Sequence, residues 1–235
     1  MAGSERPPRF REDVSRRNRR KWQVETEKGI MLPIARWSGG DRSCADGVVA
    51  PTGIHHHSQE KNMMDTLVAD QLVSEILGLL RQSKQSVVLA ESCTAGLIAA
   101  TLAGTSGMSE CLSGSFVTYQ TVSKSVWLGV EQTLIESCDV VSQEVAEAMV
   151  SGALERTPHA NVAVAITGHL GPGAPPHLDG VAWLCIGIRG EKNRSLRLSL
   201  MRNPELSGAE LRKKRQVQAA MESLELLRDR LKEHV

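Results

Sequence analysis

Residues Asn161-Val162-Ala163-Val164-Ala165-Ile166 form a run in which polar side chains do not alternate with apolar ones. A strand patterned this way needs cover on both faces, which places it inside a sheet with helices above and below. The run stops in Thr167-Gly168-His169-Leu170-Gly171-Pro172-Gly173-Ala174-Pro175-Pro176, a stretch too rich in Gly and Pro for either regular state and therefore a loop. A second buried strand is predicted at Val87-Val88-Leu89, followed by Ala90-Glu91-Ser92-Cys93-Thr94-Ala95-Gly96 and a helix-forming run from Leu97 to Leu102. This strand–turn–helix sets small hydroxyls and free backbone N–H groups at the positive end of a helix, where an anion or a developing oxyanion is stabilised.

Around these strands the pattern keeps alternating. Leu67, Leu72, Val73, Ile76, Leu77 and Leu80 recur every three to five residues and predict an amphipathic helix over 64–82. Ser115-Phe116-Val117-Thr118-Tyr119 reads as a strand, after which Gln120 to Lys124 is a polar step leading into a short helix towards Gly129. Ser142-Gln143-Glu144-Val145 has the chemistry of a helix N-cap, with Val145, Ala148, Met149 and Ala153 as the apolar face. Val181 to Ile188 and the Leu196, Leu198, Leu200 alternation predict a hairpin, and a final helix spans 207–232. The expected fold is α/β, a three-layer α/β/α sandwich whose sheet is mixed because the hairpin supplies its antiparallel part.

The first sixty residues differ from the rest. Met1 to Lys21 is Arg-rich and poor in apolar residues, so disorder is expected there, and His55-His56-His57 is read as part of a polar linker rather than a metal site. The expected division is a basic extension over 1–62 and a folded domain over 63–235, with Met63 or Met64 as an alternative start. Charge is balanced, 28 Lys+Arg against 27 Asp+Glu, and aromatics make up 3%, so neither nucleic acid nor membrane is indicated as a partner. Five scattered cysteines without a CxxC pair argue against a disulfide framework or zinc site and for a reducing cytoplasm.

Taken singly, Ser92 is a helix cap, Lys124 a solvated charge, Tyr119 a strand residue and the Gly/Pro loop a turn. Together, Ala90 to Gly96, Gly114 to Tyr119 with Lys124 five residues on, Leu128-Gly129-Val130 and Gly168 to Gly173 resemble, in order and spacing, the C-terminal domain of the competence-damage-inducible CinA family. The resemblance covers residues 64–232. It implies deamidation of a pyridine nucleotide, nicotinamide mononucleotide giving nicotinate mononucleotide and ammonia, with no cofactor and no metal. Ser92 is then the expected nucleophile, Lys124 its base, and Tyr119, between or beside them, a proton relay. Thr94, Ala95 and Gly96 are expected to supply oxyanion-hole N–H groups, and Gly168, Gly171 and Gly173 to let backbone approach the ribose phosphate. Arg202, or the basic run Arg212-Lys213-Lys214-Arg215, is placed near that phosphate, the run otherwise being a solvated helix face.

Cys93 competes with Ser92 as nucleophile, since a helix N-terminus lowers a thiol pKa, but neighbours at a turn point apart and Cys93 is expected to pack beneath the cleft. Three positions depart from the family pattern: Ala95 replaces a glycine, which is harmless only at negative φ, and His169 and Leu170 are larger than usual and expected to narrow the pocket. A non-catalytic nucleotide-binding module of a competence or DNA-damage response, and an amidase for another amide, stay open, as does a homo-oligomer.

Overall fold

The computed structural model describes residues 10–12, 22–25, 31–33 and 56–234, with side chains described for 68–234. The chain separates into two units, Met1–Gly53 and Ile54–Val235. In the first, β1 (Phe10–Glu12), β2 (Trp22–Glu25) and β3 (Met31–Pro33) pair antiparallel in that order, with Phe10 opposite Val24 and Val24 opposite Leu32. Phe10, Trp22 and Val24 are the strand-favouring residues of this stretch. The rest of the basic arm, for which composition predicts disorder, lies outside the described residues, as does His55.

In the second unit α1 (His56–Ser83) starts upstream of the predicted helix and takes in the two other histidines of the triplet. Then come β4 (Val87–Glu91), α2 (Leu97–Ala103), a single 3-10 turn (Met108–Glu110), β5 (Leu112–Val117), α3 (Thr121–Leu128), α4 (Gln132–Cys138) and α5 (Gln143–Arg156). The chain closes with β6 (Val162–His169), β7 (Val181–Ile188), β8 (Arg194–Ser199) and α6 (Gly208–Lys232). The sheet order is β5-β4-β6-β7-β8; β4 is parallel to both β5 and β6, and β7 and β8 run antiparallel, so the sheet is mixed as predicted.

Alternate side chains of the inner strands feed two cores. Val87, Leu89, Val162, Val164 and Ile166 pack with Ile76 and Leu80 of α1, Ile98 and Leu102 of α2, and Leu224, Leu227 and Leu231 of α6. Val88, Ala90, Ala163 and Ala165 face Leu128 of α3, Ile135 of α4 and Val145, Met149 and Val150 of α5. Each such Val, Leu, Ile or Met side chain contributes roughly 1.5–3 kcal/mol by leaving water. The second face uses alanine because α5 lies close: a Cβ on Gly187 would stand 2.4 Å from Val150 Cγ1. Ser142 caps α5 as expected, its Oγ accepting the Val145 N–H, and Ser207 with Glu210 forms a reciprocal capping box on α6.

Strand limits differ from the pattern for identifiable reasons. β5 stops at Val117, opposite Glu91, because β4 ends there and offers no further ladder; Tyr119 is therefore beyond the strand. β6 runs on through Thr167, Gly168 and His169 into the predicted loop because β7 supplies Trp183, Ala182 and Val181 as partners. The seven-residue α4 is too short for a periodic signal and is held by buried Ile135. From β4 the chain reaches β5 through α2 on one face, and β6 through α3 to α5 on the other. The crevice beyond the carboxyl end of β4 is thus the point where strand order reverses, the usual location of a site in such sheets.

Candidate active site

The turn after β4 is organised by Glu91. Its fully buried carboxylate accepts the backbone N–H groups of Gly96 (3.0 Å), Ile98 (3.1 Å) and Ala99 (2.9 Å) and the Ser115 hydroxyl (3.2 Å). A carboxylate here satisfies the orphan donors of α2 and complements its dipole, which Gly96 at the cap position does not do. The turn is tied down further by Ser92 N–H to Ile166 O (3.1 Å), and by Gln216 Nε2 of α6 donating to Thr94 O (3.0 Å). Neither Glu91 nor Gln216 stands out in the sequence; the only signal is a carboxylate ending an otherwise apolar strand.

On the other side of the crevice α3 delivers Lys124, 1% exposed. Its Nζ donates to Ser92 Oγ at 2.9 Å and to Thr118 O at 2.9 Å. No carboxylate among the described residues pairs with it, so burial dominates and pulls its pKa from 10.5 down to about 8, partly opposed by Cys93. Ser92 and Lys124, predicted from separate motifs, are therefore brought together, the serine beside an amine that gives up its proton readily.

Cys93 lies in the core under the turn, where burial pushes its thiol up to about 12, partly offset by its own backbone N–H and then by Lys124. It is a thiol, not a thiolate, at neutral pH. The oxyanion donors need correction. Ala95 N–H is committed to Ser92 O (3.1 Å) and Gly96 N–H to Glu91; among the described residues the Thr94 N–H has no acceptor and the Cys93 N–H none beyond its own side chain. Ala95 has φ 54°, so its methyl sits in the left-handed region that favours glycine.

Tyr119, expected between or beside Ser92 and Lys124, lines the same cleft while those two touch each other directly. Beyond the end of β5 its ring is 54% exposed and its hydroxyl accepts from Arg212 Nη2 (2.6 Å). Arg212 also donates to Gly171 O, so it bridges the loop after β5 and the loop after β6 at the cleft mouth. The basic run is divided by the helical period: Lys213 and Lys214 face solvent, while Arg215 turns inward to Asp179 (2.8 and 3.0 Å), Leu170 O (3.2 Å) and Met201 O (2.8 Å). The run is thus neither wholly a solvated face nor wholly at the cleft: only Arg212 lines it, and the spacing of three between the two arginines was the available signal.

The cleft, about 260 Å³, is lined by Ser92, Tyr119, Lys124, Thr167 to Ala174 and Arg212. Gly168, Gly171 and Gly173 all reach it, yet Gly168 is required by the sheet, since a Cβ there would lie 2.6 Å from Ala182 Cβ. His169 ends β6 at the cleft wall, and Leu170 is 1% exposed and packs into the core. Arg202 is not brought to Ser92. It lines a larger neighbouring cavity of about 580 Å³, on the other side of the Leu170–Ala174 segment, with Asp179, Asn203 and Pro204. Among the described residues no three His, Cys, Asp or Glu side chains cluster as metal ligands, and no helix is long and apolar enough to cross a membrane.

Comparison with known proteins supplies a family. The model of the CinA C-terminal domain matches residues 69–231. A CinA-like protein of Chlorobium phaeovibrioides is 40% identical over 117 residues, 50% of this chain and 27% of that protein. Another, from Mycolicibacterium gilvum, is 35% identical over 161 residues, 68% of this chain and 36% of that protein. The chain thus spans about a third of the length of these curated relatives. Among solved structures, the competence/damage inducible protein CihA of Agrobacterium tumefaciens superposes with a TM-score of 0.60 at 32% identity, over 68% of this chain and 93% of that one. A CinA superfamily protein of Klebsiella pneumoniae gives 0.63 at 22% identity, over 70% and 98%, a likeness of fold.

Proposed function

This chain belongs to the CinA C-terminal domain family, and from that premise we propose that it is a hydrolase that removes the amide nitrogen of a pyridine nucleotide, converting nicotinamide mononucleotide to nicotinate mononucleotide and ammonia. The observation that carries the reading is the 2.9 Å contact between Lys124 Nζ and Ser92 Oγ, made by a buried amine whose pKa is about 8. The substrate class rests on the family resemblance of the four motifs.

In this reading neutral Lys124 accepts the Ser92 proton as Oγ bonds to the carboxamide carbon and the carbonyl pair moves onto oxygen. The N–H groups of Cys93 and Thr94 are the donors left for that oxyanion, each typically worth ~3 kcal/mol. The intermediate collapses with cleavage of the C–N bond, and the Lys124 ammonium protonates the departing nitrogen to give ammonia. Water then attacks the acyl-serine carbon and passes a proton to Lys124, which returns it to Ser92 Oγ as the C–O bond to serine breaks; the carboxylic acid so released loses its proton to solvent. Arg212, without a carboxylate partner among the described residues, supplies positive charge for the nucleotide phosphate, and Tyr119 holds it at the mouth.

Ammonia release from nicotinamide mononucleotide by the purified chain, beside Ser92→Ala and Lys124→Ala at equal concentration, tests the proposal. Turnover by the parent and loss in both variants supports it. Loss in the lysine variant alone would point to Cys93. A parent that binds the nucleotide without releasing ammonia would favour a binding module or another amide.

A further inference from the structure

Arg202, expected at a phosphate from the sequence, lies instead in the cavity of about 580 Å³ across the Leu170–Ala174 segment from Ser92. That volume is in the range of small-molecule sites, and the side chains around it are mostly apolar, with Pro172, Pro176, Pro204 and Leu211 among them. Proline has no rotamer freedom to lose, so a wall built from it packs against a ligand without being ordered first. The walls are also fixed to each other. Arg215 donates to Leu170 O (3.2 Å) and Asp179 (2.8 and 3.0 Å) on one side and to Met201 O (2.8 Å) on the other, while Gln218 Oε1 accepts the Met201 N–H (2.8 Å). Against the third side stands the start of α6, where a Cβ on Gly208 would lie 3.2 Å from Pro172 Cβ. A ligand entering such a cavity loses little affinity to rearrangement.

Charge indicates which ligand. On the lining two guanidiniums, Arg202 and Arg215, face one carboxylate, Asp179, which leaves the cavity positive. Both Asp179 oxygens are held by Arg215, whereas Arg202 is exposed and has no hydrogen-bond acceptor among the described residues. Next to it Asn203 accepts the Glu205 N–H on Oδ1 (2.9 Å), so its amide NH2 remains to donate. A planar guanidinium fork beside an amide donor suits a phosphate, whose three oxygens can meet both. We propose that this cavity is a second ligand site, separate from the Ser92 cleft, for a phosphate monoester carrying a flat apolar body, of the class of a nucleoside monophosphate. The phosphate meets Arg202 and Asn203, and the ring lies along the prolines. The bound molecule rests on the Leu170–Ala174 segment that also lines the cleft, yet the inference stands on the cavity alone and does not depend on the chemistry at Ser92.

The test is titration calorimetry of the full chain with AMP, adenosine and inorganic phosphate as probes. AMP is expected to bind with a Kd below about 1 mM. Adenosine and inorganic phosphate are each expected to bind at least about tenfold more weakly, since each lacks half of what the cavity recognises. Arg202→Ala, a change at an exposed side chain without a partner to lose, is expected to weaken AMP by at least about tenfold. Arg212→Ala, which alters the cleft and not this cavity, is expected to leave AMP binding within about twofold. The proposal is overturned if AMP gives no binding at about 1 mM, or if its binding is lost with Arg212 and not with Arg202, which would seat it in the cleft. Inorganic phosphate or adenosine binding as tightly as AMP overturns it as well, because then either the apolar wall or the arginine contributes nothing.

Discussion

Two cations, Arg215 and Lys124, are the largest fully buried side chains described, each 1% exposed, and their surroundings are opposite. Arg215 meets both oxygens of Asp179 and two backbone carbonyls, while Lys124 meets one hydroxyl and one carbonyl. A guanidinium cannot shed its proton, so burying it requires acceptors that compensate the charge, and here they also pin the Leu170–Asp179 loop to α6. An amine can shed its proton, and leaving it without a carboxylate makes it do so near neutral pH. One region keeps a charge for stability; the other holds a charge it can release.

The sharpest break of that contrast is Lys124→Met. Activity is expected to fall by about 10³-fold or more, since in the proposed mechanism Lys124 and Ser92 act as a unit. Stability at pH 7 is expected to rise by about 1 kcal/mol, because an uncompensated buried ammonium is exchanged for an apolar side chain of similar volume. Urea unfolding beside an ammonia assay reads both, and a loss of stability would mean that Lys124 is a structural cation like the other. Arg215→Met should do the reverse: about 3 kcal/mol lost in urea, because Asp179 and two carbonyls lose their donor.

Acid and alkali separate the two regions next. The Arg215 hydrogen bonds hold the Asp179 carboxyl below its ordinary value, so its contribution is complete above about pH 4 and lost as pH falls through the lowered pKa. Lys124 has the opposite sign. Between about 8 and 10.5 the unfolded chain still binds a proton that the folded one has released, so stability rises with pH across that window, by about 3 kcal/mol in all, and is flat below it. Reaction rate follows the same group: kcat/KM is expected to climb about tenfold per pH unit up to about 8 and then level. A profile flat from pH 6 to 9 would remove Lys124 as the base.

How much of this was legible beforehand depends on distance along the chain. Periodicity places β4, β6, β7 and α6, because core-facing residues recur locally. It misjudges the ends of β5 and β6, which are set by how far neighbouring strands extend. Ser92 and Lys124, named from separate motifs, do lie in contact at 2.9 Å. Tyr119 is expected between or beside them and lines the same cleft, tied to Arg212 instead, and the separate partners of Arg212 and Arg215 go unread because Gly171 and Asp179 lie 41 and 36 residues away. Glu91 is the instructive case: its chemistry is local, yet only the folded turn shows three backbone donors converging on one carboxylate.

The smallest expected effect carries the comparison into the backbone. Where the Arg215 loop takes positive φ it uses glycine, at Gly171 (69°) and Gly180 (74°), and a Cβ at Gly180 would come within 3.0 Å of Arg215 Cζ. The turn after β4 takes φ 54° with Ala95, an exposed residue. An L-residue there costs roughly 1–2 kcal/mol, partly offset because glycine loses more freedom on folding. Ala95→Gly is therefore expected to stabilise the chain by about 0.5 kcal/mol in urea, with ammonia release unchanged because the Ala95 N–H already serves Ser92 O. Gly180→Ala is expected to destabilise by more than that, having both the strain and the crowding. Should Ala95→Gly instead lower stability, the turn that carries Ser92 would be relaxed, and the strain assigned to it would be absent.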